Sequence, residues 1–267
     1  MKFITYIFLV ITIFFYTCKS NQAKLPVETV EFDIGSDTKS FVPSNDKKAV
    51  PMISFIKDLE EKSSSFSADF IMKVVTPQET NSINGRIFFE KEGKKCKIQM
   101  LDPFFGAIIS QVLANPNQIK IKQGGNDKLY EQKMGDILLT DPTGNKKFTI
   151  PFPVIFYSIA QDFTQEINSG NSLVNPTEKK FKVMHGNDEY LYIFYEGGLE
   201  SLEFFSRSKN IQAKAKVSET SKKGIHPPDK ILSKVSEVSS GKNLTQVDIQ
   251  FKNIKRVLKI PEKEFKL

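Results

Sequence analysis

Beyond residue 65, apolar and polar positions alternate along most of the chain, and a period of two predicts strands with one face buried. Phe66, Ala68, Phe70, Met72 and Val74 alternate with Ser67, Asp69, Ile71, Lys73 and Val75. Ile83, Gly85, Ile87 and Phe89 alternate with Asn84, Arg86, Phe88 and Glu90, and a Glu92-Gly93 turn leads into a strand that carries Cys96, Ile98 and Met100 on one face. The same pattern predicts strands over 107–113, 119–122, 129–131, 181–184, 190–195, 199–205, 211–217, 231–238 and 247–251, most of them joined by turns bearing Gly or Asn. Two segments differ. Val50, Met52, Ile53, Ile56 and Leu59 recur at helical spacing, predicting an amphipathic helix over 49–62, with Glu60 and Glu61 on its solvated side. Residues 152–163 are almost continuously apolar, and Pro153 suits the first turn of a helix. So many strands in series, with little helix between them, predict a mainly β (α+β) fold: one antiparallel sheet that curls or closes, with a few helices against it. The apolar helix is then either permanent core or a movable lid.

The N-terminus follows other rules. Lys2 precedes an apolar run from Phe3 to Tyr16, about 14 residues long and too short to span about 30 Å of hydrocarbon comfortably. Residues 1–17 therefore read as a signal peptide. The run ends at Thr17-Cys18-Lys19-Ser20, which looks like a lipobox, so Cys18 is the candidate lipid-attachment site; Phe15 and Tyr16 are bulkier than is usual there. An uncleaved anchor and ordinary secretion are the other readings. Residues 18–48 hold Pro26, Gly35, Pro43 and many polar residues without sustained periodicity, which predicts a flexible tether of roughly 30 Å as a coil and roughly 100 Å extended. The folded domain is expected over 49–267.

Composition changes the picture only in places. A content of 39% hydrophobic and 26% charged residues excludes a fully disordered chain and a multi-span membrane protein. The 23 phenylalanines with no tryptophan reflect either codon bias or a phenylalanine-lined site. A net charge of +7 suits an anionic surface, and in an exported protein lipid headgroups or an acidic partner are better matches than nucleic acid. The lysines at 94, 95, 97, 120, 122, 214 and 216 are expected to point outward from strands into solvent. Cys96 is the one cysteine besides Cys18, and its place in a strand predicts a buried core thiol. His185 and His226 are the only histidines, both beside turn or loop residues. With no metal-ligand pair, nucleophile elbow or phosphate loop, no catalytic residue, metal site or cofactor is expected, and the chain is not expected to be an enzyme.

The order of parts resembles the LolA/LolB lipoprotein-carrier superfamily. The resemblance runs over roughly 50–267: an N-terminal helix, then Phe66-Ser67-Ala68-Asp69-Phe70, a meander of strands, and Asp141-Pro142-Thr143-Gly144-Asn145 before the apolar segment. Asp102-Pro103-Phe104-Phe105-Gly106 and the closing Val247-Asp248-Ile249-Gln250-Phe251-Lys252-Asn253-Ile254, with Ile260-Pro261 and Phe265, look like the lipid-anchored LolB-type branch. The resemblance implies an unclosed antiparallel β-barrel with helices over its opening, whose apolar cavity takes acyl chains of lipoproteins bound for the outer membrane. Implied partners are acyl chains of lipoproteins or other lipids, the membrane through the N-terminal lipid, and a soluble LolA-type carrier, with the protein a monomer on the periplasmic face of the outer membrane.

On that basis the candidate lining is Phe70, Met72, Phe89, Ile98 and Met100 from the sheet and Phe156 and Ile159 from the helix. The alternative is a surface or periplasmic lipoprotein that binds another lipid or a protein and transfers nothing. Two features depart from the family. Where soluble carriers have an Arg-Pro pair that fastens the lid, this chain has Glu90-Lys91-Glu92-Gly93, and no lid-fastening residue is legible. The stretch Pro103-Phe104-Phe105-Gly106 matches the protruding apolar loop of acceptors by composition but is expected as a buried turn.

Overall fold

The alternating segments form strands that hydrogen-bond almost wholly to their sequence neighbours. The computed structural model describes residues 31–34, 40–77, 79–102, 104–123, 128–140 and 147–267; residues 1–17 (expected as a signal peptide), Cys18 and the phrase at 141–145 lie outside the described residues. In chain order the elements are β1 (Val42–Pro43), α1 (Val50–Lys62), β2 (Ser65–Val75), β3 (Thr80–Glu90), β4 (Lys95–Leu101), β5 (Ile108–Ala114), β6 (Gln118–Gln123), β7 (Leu129–Lys133), β8 (Ile137–Thr140) and β9 (Lys147–Ile150). They continue with α2 (Phe152–Ala160), α3 (Phe163–Asn168), β10 (Ser172–Asn175), β11 (Lys180–His185), β12 (Asp188–Tyr195), β13 (Gly198–Ser206), β14 (Ile211–Val217), α4 (Glu219–Lys222), β15 (Lys230–Glu237) and β16 (Asn243–Val257).

Fourteen of the described strands make one antiparallel sheet, in the order β1-β10-β11-β12-β13-β14-β15-β16-β2-β3-β4-β5-β6-β7. Two meanders, β2–β7 and β10–β16, are zipped together by β16 and β2, with Phe251 opposite Phe70 and Ile249 opposite Met72. The sheet does not close, because its edges β1 and β7 are not paired with each other. This is the unclosed antiparallel architecture expected. Between the meanders the chain leaves the sheet to form the separate β8–β9 hairpin and α2, and α2 packs against β13, β14 and β15.

Inner-face residues are buried as the alternation predicts: Phe66, Ala68, Phe70, Met72 and Val74 on β2, and Ala213, Ala215 and Val217 on β14. Cys96 is buried among them, and burial pushes its thiol up to about 12, so it stays protonated and unreactive. Gly85 has a specific task here. It lies between Phe70 on β2 and Met100 on β4, and a Cβ at 85 would sit 2.2 Å from Phe70 Cζ and 2.5 Å from the Gln99 carbonyl oxygen. Gly85→Ala is expected to cost about 1–3 kcal/mol of unfolding free energy in urea titration, because one contact is backbone and cannot rotate away; an unchanged midpoint would show that the strands spread freely.

The apolar segment ends as a helix earlier than residue 163. Gln161 adopts a left-handed conformation (φ 47°), its N–H capping the Tyr157 carbonyl, and α3 starts anew at Phe163. All nine residues of α2 are buried. The weakest sequence signals were missed: β1, β8, β9 and β10 are two to four residues long, too short to show a period.

Several outward positions are not solvated, contrary to expectation, because terminal segments cross the outer face of the sheet. Asp33 and Ile34 donate their backbone N–H groups to Glu203 Oε2 at 2.8 and 2.7 Å, while Lys214 Nζ meets Glu203 Oε1 at 2.6 Å. Lys180 pairs with Asp33, and the Lys182 ammonium lies over the Phe41 ring. Further along, Val42–Pro43 adds a strand beside β10. The stretch expected as tether thus ends in folded structure, and the compact unit begins at Phe32. On the other meander the C-terminal segment covers Lys97, whose Nζ donates to the Lys266 carbonyl, and Lys95 pairs with Glu262 at 3.1 Å.

Candidate functional site

The inner face of the sheet and the excursion between the meanders enclose a cavity with a wholly apolar lining. Phe70 and Met72 of β2, Ile87 of β3, Ile98 and Met100 of β4, Val112 of β5, and Ile249 and Phe251 of β16 form one wall. Ile137 and Ile150 from the β8–β9 hairpin, with Phe152, Ile155 and Ile159 of α2, form the cover. The cavity is small, about 30 Å³.

Of the residues singled out from sequence, Phe70, Met72, Ile98, Met100 and Ile159 meet at this cavity. Phe89 and Phe156 do not. Phe89 is buried nearer the end of β3, against the rings of Phe66 and His226. Phe156 is turned about 100° around the helix from Ile155 and packs against the rings of Phe152 and Tyr157. Ile249 and Phe251 were legible as an inward face and are brought in by pairing with β2. Ile137 and Ile150 carried no signal, since their hairpin has no sheet to alternate against.

The cover is tied down at one end by polar groups. Lys94, buried at the β3–β4 turn, donates to the carbonyls of Ala160 (3.1 Å) and Gln161 (3.5 Å) and pairs with Glu60 at 3.1 Å. Glu60 in turn accepts from the Thr164 N–H at 2.6 Å, linking α1 to the start of α3. These partners correct two expectations, a solvated Glu60 and an outward Lys94. A helix end leaves carbonyls without intrahelical donors, and a cation there satisfies them and the helix dipole together.

His226 completes the tie. Its Nδ1 accepts from the Ser64 N–H (3.2 Å), so the ring proton sits on Nε2, which donates to the Ile159 carbonyl at 2.7 Å. The ring is packed edge-on against Phe66. Burial, with the cations Lys94, Arg256 and Lys91 nearby, lowers its pKa to about 4 against the partial support of the Ile159 carbonyl. A histidine that looked like a loop residue is therefore a neutral structural clasp. His185, by contrast, pairs with Glu166 at 3.0 Å and stacks on Tyr157 at the other side of α2.

One apolar feature lies outside. Phe104 and Phe105 in the β4–β5 connection are 87% and 89% exposed, not a buried turn. Their backbone N–H groups both donate to Asp102 Oδ1, and Gly106 takes a left-handed φ of 66°, so the loop has a defined shape that presents two rings to solvent.

An open antiparallel sheet with a covered, apolar inner cavity is the class of protein that the fold and this site define. Among solved structures the chain is similar to a LolA superfamily protein from Nitrosomonas europaea (12% identity, 80% of this chain and 96% of that one, TM-score 0.49). It is also similar to an outer membrane lipoprotein-sorting protein domain from Vibrio parahaemolyticus (8% identity, 80% and 95%, TM-score 0.49) and to the Pseudomonas aeruginosa MucA/MucB complex (14% identity, 81% and 61%, TM-score 0.33). No family model matches the chain. No curated protein matches it.

Proposed function

We propose that this protein is a lipid-anchored envelope protein of the LolB-like kind, which takes acyl chains into its inner cavity during lipoprotein transfer to, or insertion in, the outer membrane. The observation that carries the reading is the cavity itself: an entirely apolar lining under a cover whose helix end is held by a few polar contacts. Each methylene moved from water into such a lining gains about 0.8 kcal/mol, so a chain of ordinary acyl length repays the opening of the cover. Transfer then needs no catalytic group, only a gradient of affinity from donor to acceptor to membrane. The lipobox-like Cys18 supports anchoring, and a soluble LolA-type carrier would be the donor.

The exposed Phe104–Phe105 loop supports the membrane step, since paired aromatic rings on a shaped turn partition into the interfacial region of a bilayer. Phe104→Ser with Phe105→Ser is expected to reduce binding to vesicles of mixed neutral and anionic phospholipid by about tenfold without changing thermal stability. Equal co-sedimentation of the two proteins would remove the loop from the mechanism.

A second reading, a binding lipoprotein with no transfer role, is favoured by the small size of the cavity. Native mass spectrometry of the full chain purified from its own envelope separates the two. Acyl cargo that is released to liposomes supports transfer; a chain that is always empty, with a core that excludes acyl probes, would overturn it.

A further inference from the structure

Along the inner face, the side chain opposite Phe70 on β3 is missing: Gly85 is its cross-strand partner. The Phe70 ring fills that gap. Its Cζ and Cε1 atoms come within 2.2 and 2.6 Å of where a residue-85 Cβ would stand, so the ring lies over the Gly85 backbone instead of rising into the cavity. On the same strand the next inward position is Ile87, and Met72 and Met100 on the flanking strands, with Ile249 one strand further on, all carry full side chains. Gly85 is therefore a hollow in the floor of the cavity, and a neighbour's ring occupies it. Phe70 also lines the cavity, so the hollow and the cavity are one continuous space once the ring is gone.

We infer that the Phe70 ring over Gly85 is the floor stop of the ligand site and sets the length of acyl chain the protein accepts, the hollow being where the methyl end of the chain arrives. This rests on the acyl-binding reading above. The lining has no polar side chain in this region, so the group that reaches the floor is hydrocarbon and not a headgroup. A six-carbon ring held over backbone makes a firm stop, and shortening it adds depth without removing a strand residue. The Gln99 carbonyl beside Gly85 keeps the opposite change, a side chain at 85, from being a clean probe.

The test titrates the full chain with saturated fatty acids of about ten to about eighteen carbons, for wild type, Phe70→Ala and Phe70→Leu, with circular dichroism to establish folding. Wild type is expected to reach a plateau of affinity at a definite chain length. Phe70→Ala is expected to move that plateau up by about three methylenes, each worth about fourfold in affinity, and Phe70→Leu by a smaller step. If Phe70→Ala fails to fold, the Leu variant alone carries the comparison. Folded variants with the wild-type plateau would overturn the floor stop and leave acyl binding intact. A wild-type chain that binds no member of the series would overturn both.

Discussion

Glu203→Ala is expected to lower the unfolding free energy by about 3 kcal/mol, a fall in Tm of about 6–12 °C for a chain of this size. Glu203 is fully buried on the outer side of β13, where its Oε2 accepts from the N–H groups of Asp33 and Ile34 and its Oε1 is ion-paired with Lys214 Nζ at 2.6 Å. Removing it leaves a lysine ammonium under cover without its nearest carboxylate and takes the acceptor from two backbone donors. Losing one partner of a buried pair usually costs about 3–5 kcal/mol, and the lower end applies because Asp33 lies 3.8 Å from Lys214. Release of the N-terminal segment should follow, seen as faster proteolytic cleavage near residue 33. A loss under about 1 kcal/mol with unchanged cleavage would mean that the segment rests on the sheet without being held by Glu203.

Acid should loosen the cover through His226. Its folded-state pKa, about 4, lies below the ordinary imidazole value of 6.5, so between those two values the unfolded chain binds the proton and the folded chain does not. Stability from this group is therefore complete above about pH 6.5, declines as pH falls, and is lost by about pH 4, with a total on the order of 3 kcal/mol. The charged groups facing the ring are Lys94, Arg256 and Lys91, with Glu60 reached through Lys94; the cations all oppose a second positive charge there. Protonation would also set Nδ1–H against the Ser64 N–H, donor to donor. Urea titrations from pH 7.5 to 4 should show a steeper loss for wild type than for His226→Gln, whose amide can keep the donor to Ile159. Parallel slopes would assign the acid sensitivity to other groups.

How much was legible in advance depended on how local the physics is. Phe70, Met72, Ile98 and Met100 come together at the apolar cavity because inward alternation on β2 and β4 is a property of each strand by itself. Phe89 and Phe156 are buried as well but lie against other rings; whether a buried side chain meets a cavity or another ring depends on what lies across from it. The Phe104–Phe105 loop was misjudged for a related reason. Two rings in a turn are buried only if some other part of the fold arrives to cover them, and among the described residues none does.

By itself the sequence determined the number and order of the principal strands, the amphipathic first helix, the apolar segment between two meanders and the burial of Cys96. Period, turn residues and side-chain volume act over a few residues, and those signals survive in one dimension. Only the tertiary structure decided which charges are buried and what holds the cover. Glu203 meets Asp33 across 170 residues, Lys94 meets Ala160 across 66 and His226 meets Ile159 across 67. A lysine on an outward strand position, or a histidine in a loop, looks solvated until a distant segment closes over it. The energy of a buried polar group belongs to the partners that the fold brings to it.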